Sequence, residues 1–384
     1  MKNLNYKIPL RKIKLPDHFE LVKYLKKIDT ERTYSNYGPL VQILEKSLAE
    51  KFKIDPQNVI ITCNCTSSLQ SILLRIKNKI KHSSSHSLNK EKKFYCIVPS
   101  FTFAASAMAI IGSGLKPIFL DIDKNSAQLT PNIVENFLKK KIIDIKNIVA
   151  VMPVSPFGVK IKKNDWIKFY KTYKLDIVYD EAWCFDTFSK NKIGDSAISL
   201  HVTKSFGCGE GGLIITNDNV KASEFRKIIN FGFDTKKRLG LIGFNGKMTE
   251  YNAAVALRTL EKWPENKFKC LELQKYYLYK LEKFSKIKVL NGFDKTFAWG
   301  TLPLIFEKKK NIQKIISIAA LKKIEFRAWW KHGVQKFEAM NKFPSYKLDN
   351  TISLTNRLIN VPFYPEMSHK DIDQVCSVLK KFDS

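Results

Sequence analysis

No stretch of this chain comes near the ~18 consecutive apolar residues that a membrane helix needs, and none carries arginines in a run. The cysteines are seven and scattered (Cys63, Cys65, Cys96, Cys184, Cys208, Cys270 and Cys376), so neither zinc-type pairing nor a disulfide framework is present. Acidic residues are also scarce: 36 Asp and Glu face 66 Lys and Arg, leaving a formal charge of +30. Such an excess invites a nucleic-acid reading. The cations, however, are overwhelmingly lysine and spread along the whole chain, with no aromatic–basic motif of an RNA-binding module. Nucleic acid is therefore not expected as the primary partner, whereas an anionic small substrate gains from the same field. The basic N-terminus lacks the apolar block of a signal peptide. A reducing cytoplasm is the expected setting.

What is present is an ordinary globular composition, 44% hydrophobic, in a length suited to a large domain with a smaller companion. From about residue 38 to 260 helical and strand patterns alternate, which argues for a mostly parallel α/β sheet. Pro39 opens a helix with apolar positions Leu40, Ile43, Leu44, Leu48 and Phe52. Short apolar runs ending at Thr62, Pro99, Leu120, Pro153, Tyr179 and Thr216 read as strands. A helix begins at Thr66, and the polar Lys/Ser-rich run 76–93 reads as a surface insertion, so its His82 and His86 are expected in a loop rather than on a metal. Thr249 is expected to cap a helix that Pro264 terminates. The pattern changes there, which divides the chain into a large domain, 1–264, and a small C-terminal α+β domain, 265–384.

Several special residues fall where strands end, the place where open α/β sheets bind ligands. Asp180 closes the run LDIVYD, and a carboxylate there needs a partner such as a protonated cofactor nitrogen. Lys204 sits in SLHVTKSFGCGEGG, between Ser199 and a glycine-rich turn that allows close backbone approach to a ligand. Among apolar neighbours such an amine becomes a usable nucleophile. Thr66 and Ser67 open a helix whose free N–H groups suit a phosphate. Phe103, in PSFTF, could stack on a flat ring. Taken singly, each has a plainer reading: a cap, a core ring or a surface charge.

Together, the blocks TKSFGCGEGGLIITND, VPSFTFAAS, KPIFLDID, VYDEA, FNGKMTEYNAAVAL and LINVPFYPEMS resemble the DegT/DnrJ-type sugar aminotransferases, within the fold-type I enzymes that use pyridoxal 5′-phosphate (PLP). The resemblance implies a mostly parallel sheet sandwiched by helices. It implies that Lys204 forms the Schiff base with PLP and Asp180 pairs with the pyridine nitrogen. Phe103 would stack on the cofactor, and Thr66, Ser67 and Ser199 would hold its phosphate. Asn245 would reach the phosphate of a neighbouring subunit, implying a homodimer with shared sites. The implied reaction moves an amino group from an amino acid, glutamate first, to a nucleotide-linked keto sugar, as in amino-sugar and polysaccharide biosynthesis. The chain departs from the usual pattern at Asn64-Cys65-Thr66, at Trp183 (a cofactor-side position commonly glutamine), at Ser155-Pro156-Phe157-Gly158, at Lys247 and at RAWWKH (327–332). A sugar dehydratase of the same fold, a transaminase for a non-sugar ketone and a non-catalytic binding protein remain open beside it; Lys204 argues against the first, because dehydratases of this type replace that lysine with histidine.

Overall fold

The structure is a computed structural model describing residues 6–83 and 93–383. Among these, β1 (Val59–Thr62), β2 (Tyr95–Pro99), β3 (Lys116–Leu120), β4 (Ile148–Val151), β5 (Asp176–Asp180), β6 (Asp195–Ser199) and β7 (Gly212–Ile215) build the main sheet, with β10 (Ser345–Tyr346) at its edge. The spatial order is β1-β7-β6-β5-β4-β2-β3-β10. All neighbours are parallel except β7, which runs antiparallel to both β1 and β6. These strands are short apolar runs because both faces are covered. Successive residues of β2 show it: Cys96 and Val98 pack with α3 (Cys65–Ser83) and α4 (Ala104–Gly112), whereas Ile97 packs on the other side with α5 (Pro131–Leu138) and α6 (Lys163–Tyr173).

Helices α1 (His18–Glu31) and α2 (Pro39–Phe52) precede the sheet, and α7 (Asn219–Ile228) follows it. On α2 the buried stripe is Leu40, Leu44 and Leu48, while Ile43, expected on that face, is turned outward. The start of α2 is capped from a distance: the buried Glu250 carboxylate accepts from Leu40 N at 2.7 Å and Val41 N at 3.1 Å. Gly38 is required beside it, since a Cβ there would lie 2.5 Å from Glu250 Cδ.

Two expectations are corrected. The helix opened by Thr249, whose side chain does accept from Asn252 N, does not stop at Pro264 but continues as α8 from Glu250 to Leu281. Proline forfeits one ladder bond there, and burial of Trp263, Cys270, Leu273 and Tyr277 on one side of the rod offsets the loss. The boundary expected between 264 and 265 thus falls inside a helix. Likewise α3 runs to Ser83, so the first part of the 76–93 run is helical; His86 and the side chain of His82 lie outside the described residues. Beyond α8 come β8 (Ile287–Val289), β9 (Leu302–Phe306), α9 (Ile312–Leu321), α10 (Asp349–Thr355), β11 (Leu358–Val361) and α11 (His369–Lys380), with a second sheet ordered β11-β9-β8. Among the described residues no helix is long and apolar enough to cross a membrane.

Candidate active site

The sheet brings the chemistry to one edge. Ser199 ends β6 and pairs with Gly212, the first residue of β7, which pairs in turn with Thr62 at the end of β1. A Cβ on Gly212 would come within 2.5 Å of Asn64 C and Cys65 N, so glycine is what lets the start of α3 close on β7. Asn64 caps that helix: its Oδ1 accepts from Ser67 N at 2.8 Å, and its carbonyl accepts from Ser68 N. The N–H groups of Cys65 and Thr66 belong to the first turn and take no intrahelical partner. They supply donors and a positive dipole end for an anion.

A cavity of about 390 Å³ opens over this edge and is lined by Thr66, Phe103, Asp180, Trp183, Ser199 and Lys204 together. Six of the eight sequence-expected residues therefore meet. Ser67 does not line it; its hydroxyl sits 3.2 Å from Cys63 Sγ. Asn245 is exposed and paired with Asn230 by a β-bridge, outside the cavity of its own chain. A larger depression of about 660 Å³, beside Asp123 and Asn291, holds none of these side chains.

Lys204 is an amine under pressure. Burial, then the positive charge of Arg11, lower its pKa from 10.5 to about 7, against the opposing pull of Cys65 and Asp180. Its Nζ stands 3.8 Å from the centroid of the Trp183 ring. Asp180 accepts from Ser106 Oγ at 2.6 Å and from Ala182 N at 3.2 Å, yet burial still pushes its pKa up. That upward shift is the penalty on its charged form, and a cationic N–H partner would remove it. Behind it, Glu181 and Lys163 form a buried ion pair at 2.8 Å, which fixes the residues after β5. Phe103, the residue before α4, is 58% exposed and faces the cavity rather than the core.

Three of the departures noted in the sequence, at Trp183, at Ser155-Pro156-Phe157-Gly158 and at RAWWKH, meet in one wall. Phe157, at φ +55°, stacks on Trp330 with ring centres 4.9 Å apart, and its edge meets Trp183. Gly158, at φ +97°, passes close to the Trp183 carbonyl, where a Cβ would meet the oxygen at 3.0 Å. Sequence reasoning missed Arg11, His201, Glu210, Trp329 and Trp330 as cavity residues. His201 Nδ1 lies 2.7 Å from Thr203 Oγ1 and its Nε2 lies 3.4 Å from Glu210. Arg11 carried one faint signal, an arginine in a chain whose cations are mostly lysine.

Residues 17–380 match the model of the DegT/DnrJ/EryC1/StrS aminotransferase family. The chain belongs to this family. It is an aminotransferase of fold type I, and its cofactor is PLP. A curated relative, dTDP-4-amino-4,6-dideoxy-D-glucose transaminase of Shigella dysenteriae, is 25% identical over 378 residues, covering 96% of each chain. Among solved structures, a putative PLP-dependent aminotransferase of Bacillus cereus superposes with a TM-score of 0.86 at 24% identity, covering 97% of this chain and 99% of that one. DesI, solved in the presence of its TDP-sugar product, gives 0.83 at 24% identity, covering 99% and 94%. At such identities the two structures speak for the fold.

The cavity fits PLP on its own chemistry. It offers a weakly basic amine, a buried carboxylate in need of a cation, a helix N-terminus for a phosphate and aromatic faces for a flat ring.

Proposed function

We propose that this aminotransferase moves an amino group from an amino acid, glutamate first, to a keto sugar carried on a nucleoside diphosphate. The observation that carries it is the convergence of Lys204, Asp180 and the α3 N-terminus in one cavity of a chain belonging to this family. The sugar class is supported by the Shigella relative's acting on a dTDP-linked amino sugar. The chain's positive excess suits a diphosphate.

Each residue has a task. Thr66, Ser199 and the first-turn N–H groups of α3 would hold the phosphate of PLP, whose chemistry when bound is that of an electron sink. Lys204 is the amine that would hold it and that would move the proton at the donor α-carbon. A pKa of about 7 makes that amine uncharged in mildly alkaline solution, so it can take a proton without first losing one. Asp180 keeps a proton on the pyridine nitrogen, gaining a partner for its own buried charge. Phe103 and Trp183, which line the cavity, would cover the ring and exclude water. The two half-reactions share one site, which requires ping-pong kinetics.

The site is completed by a second copy of the chain in this reading. Asn245 is exposed beside Phe231, Phe233, Leu239 and Ile242, which are 49%, 39%, 67% and 50% exposed. An apolar belt of this kind marks a contact surface, and it supports Asn245 reaching the partner's cofactor phosphate.

The test is incubation of the PLP-loaded protein with glutamate and a panel of nucleotide-linked keto sugars, read by mass spectrometry. Replacement of the keto oxygen by an amine in one of them is the expected result, and Lys204→Ala abolishes it. Loss of the keto group without gain of nitrogen, or amination of a non-sugar ketone alone, overturns the sugar reading.

A further inference from the structure

The N-terminal segment crosses the molecule as a strap and ends in the active site. Ile8 N donates to Lys323 O at 3.1 Å, Glu325 N donates to Ile8 O at 2.9 Å, and Phe363 N donates to Leu10 O at 3.3 Å. Leu10 N donates to Glu325 Oε2 at 2.8 Å. With Ile8 and Leu10 buried, this register fixes Arg11, whose Nη1 donates to the carbonyl of Thr203, next to Lys204, at 2.7 Å.

The rest of that guanidinium is unspent. Its Nε and Nη2 are shut off from water without a hydrogen-bond partner, and so are the indole Nε1 atoms of Trp329 and Trp330. All three side chains line the cavity with Lys204. The guanidinium carbon lies 4.6 Å from the Trp183 ring centre and 5.7 Å from that of Trp329. Glu325, the nearest counter-charge, is already engaged by Leu10 N and by Arg327. Four buried donor atoms without an acceptor are costly when empty. Burial, then Arg327, pull the Arg11 pKa down to about 9. The group that such a set accommodates has acceptors only and bears negative charge, which describes a carboxylate or a phosphate.

Distance from the reacting nitrogen favours the carboxylate. Arg11 and Lys204 approach one ring, Trp183, at 4.6 Å and 3.8 Å, so guanidinium carbon and amine stand within about 8.4 Å. The donor's nitrogen must replace the lysine's, and its α-carboxylate is bonded to the adjacent carbon. A nucleotide diphosphate, by contrast, is held away from the reacting carbonyl by the sugar ring. We propose that Arg11, with the indole N–H groups of Trp329 and Trp330, forms the subsite for the α-carboxylate of the amino donor. This rests on the aminotransferase reading of the cavity and not on the identity of the sugar.

The experiment uses the PLP-loaded protein and two probes. One is 2-methylglutamate, which has the α-carboxylate but no α-hydrogen and so cannot pass the proton-transfer step; its binding is followed by the cofactor absorbance. The other is dTDP, followed by calorimetry. Arg11→Met is expected to weaken 2-methylglutamate by at least about tenfold, as befits loss of a charged hydrogen-bond donor, and to leave dTDP unchanged. Trp329→Phe keeps the ring but not the N–H and should cost a few-fold. Should Arg11→Met fail to fold, Arg11→Lys keeps the charge without the planar fork and should still weaken the amino acid selectively. Unchanged 2-methylglutamate binding, a loss confined to dTDP, or an equal loss for both probes overturns the proposal. A wild-type protein that binds 2-methylglutamate yet aminates no nucleotide sugar would refute the sugar reading and leave this one standing.

Discussion

Lowering the Lys204 pKa to about 7 has a consequence that can be measured without any substrate. At about pH 8 an amine of pKa ~7 is roughly 90% uncharged, whereas one at the ordinary 10.5 is about 0.3% uncharged, a difference of some 300-fold in reactive species. The sign follows from the cause: burial and Arg11 penalise the ammonium form, so the free amine persists down to near neutrality. The cofactor-free protein can be exposed briefly to pyridoxal at fixed pH, quenched with borohydride and digested. The adduct at Lys204, quantified by mass spectrometry from about pH 5.5 to about pH 10, should rise to half its plateau near pH 7 and flatten by about pH 8. Peptides carrying exposed lysines serve as the reference in each digest. A Lys204 signal still climbing tenfold per pH unit beyond about pH 9 would refute the reasoning.

Three further outcomes are expected. Asp180→Asn keeps the shape but cannot hold a proton on the pyridine nitrogen, so the donor half-reaction should slow by about 100-fold or more, measured by single-turnover absorbance; a rate within a few-fold of the unaltered protein would exclude the role. Glu250→Ala strips the acceptor from Leu40 N and Val41 N; at about 1–3 kcal/mol for each stranded group, the thermal midpoint should fall by several degrees. Asn245→Ala should speed loss of PLP on dialysis if the site is shared, and a fully active monomer seen by sedimentation would contradict the shared site.

The parallel core was legible because strand runs and helix periods are local properties: Asp180 is marked by the strand run that it closes, and Lys204 by its place between Ser199 and the glycine-rich turn. Ile43 was misplaced on α2 because a 3.6 period marks a stripe without saying how wide the neighbour's cover is. Proline-based reasoning failed at Pro264 because tertiary burial on α8 outweighs a local rule. Arg11, Trp329 and Trp330 were unreadable as site residues for a different reason. Their places depend on contacts across more than 300 positions, such as Leu10 with Glu325, and no spacing rule reaches that far. The segment RAWWKH stood out as a departure, but only the stack of Trp330 on Phe157 shows what it builds.

The strap also sets the order in which the protein can be completed during synthesis. The strands from β1 to β7, including the pairing of Thr62 with Gly212, can form as soon as the first 215 residues have left the ribosome. Arg11 can be seated only after residues 323–325 and 363 exist to hold Ile8 and Leu10. A nascent chain thus carries Lys204 in a folded sheet while one of its neighbouring charges is still adrift, and such long-separation contacts close late. Chains shortened at their carboxyl end should accordingly retain the sheet but leave Lys204 without Arg11 beside it.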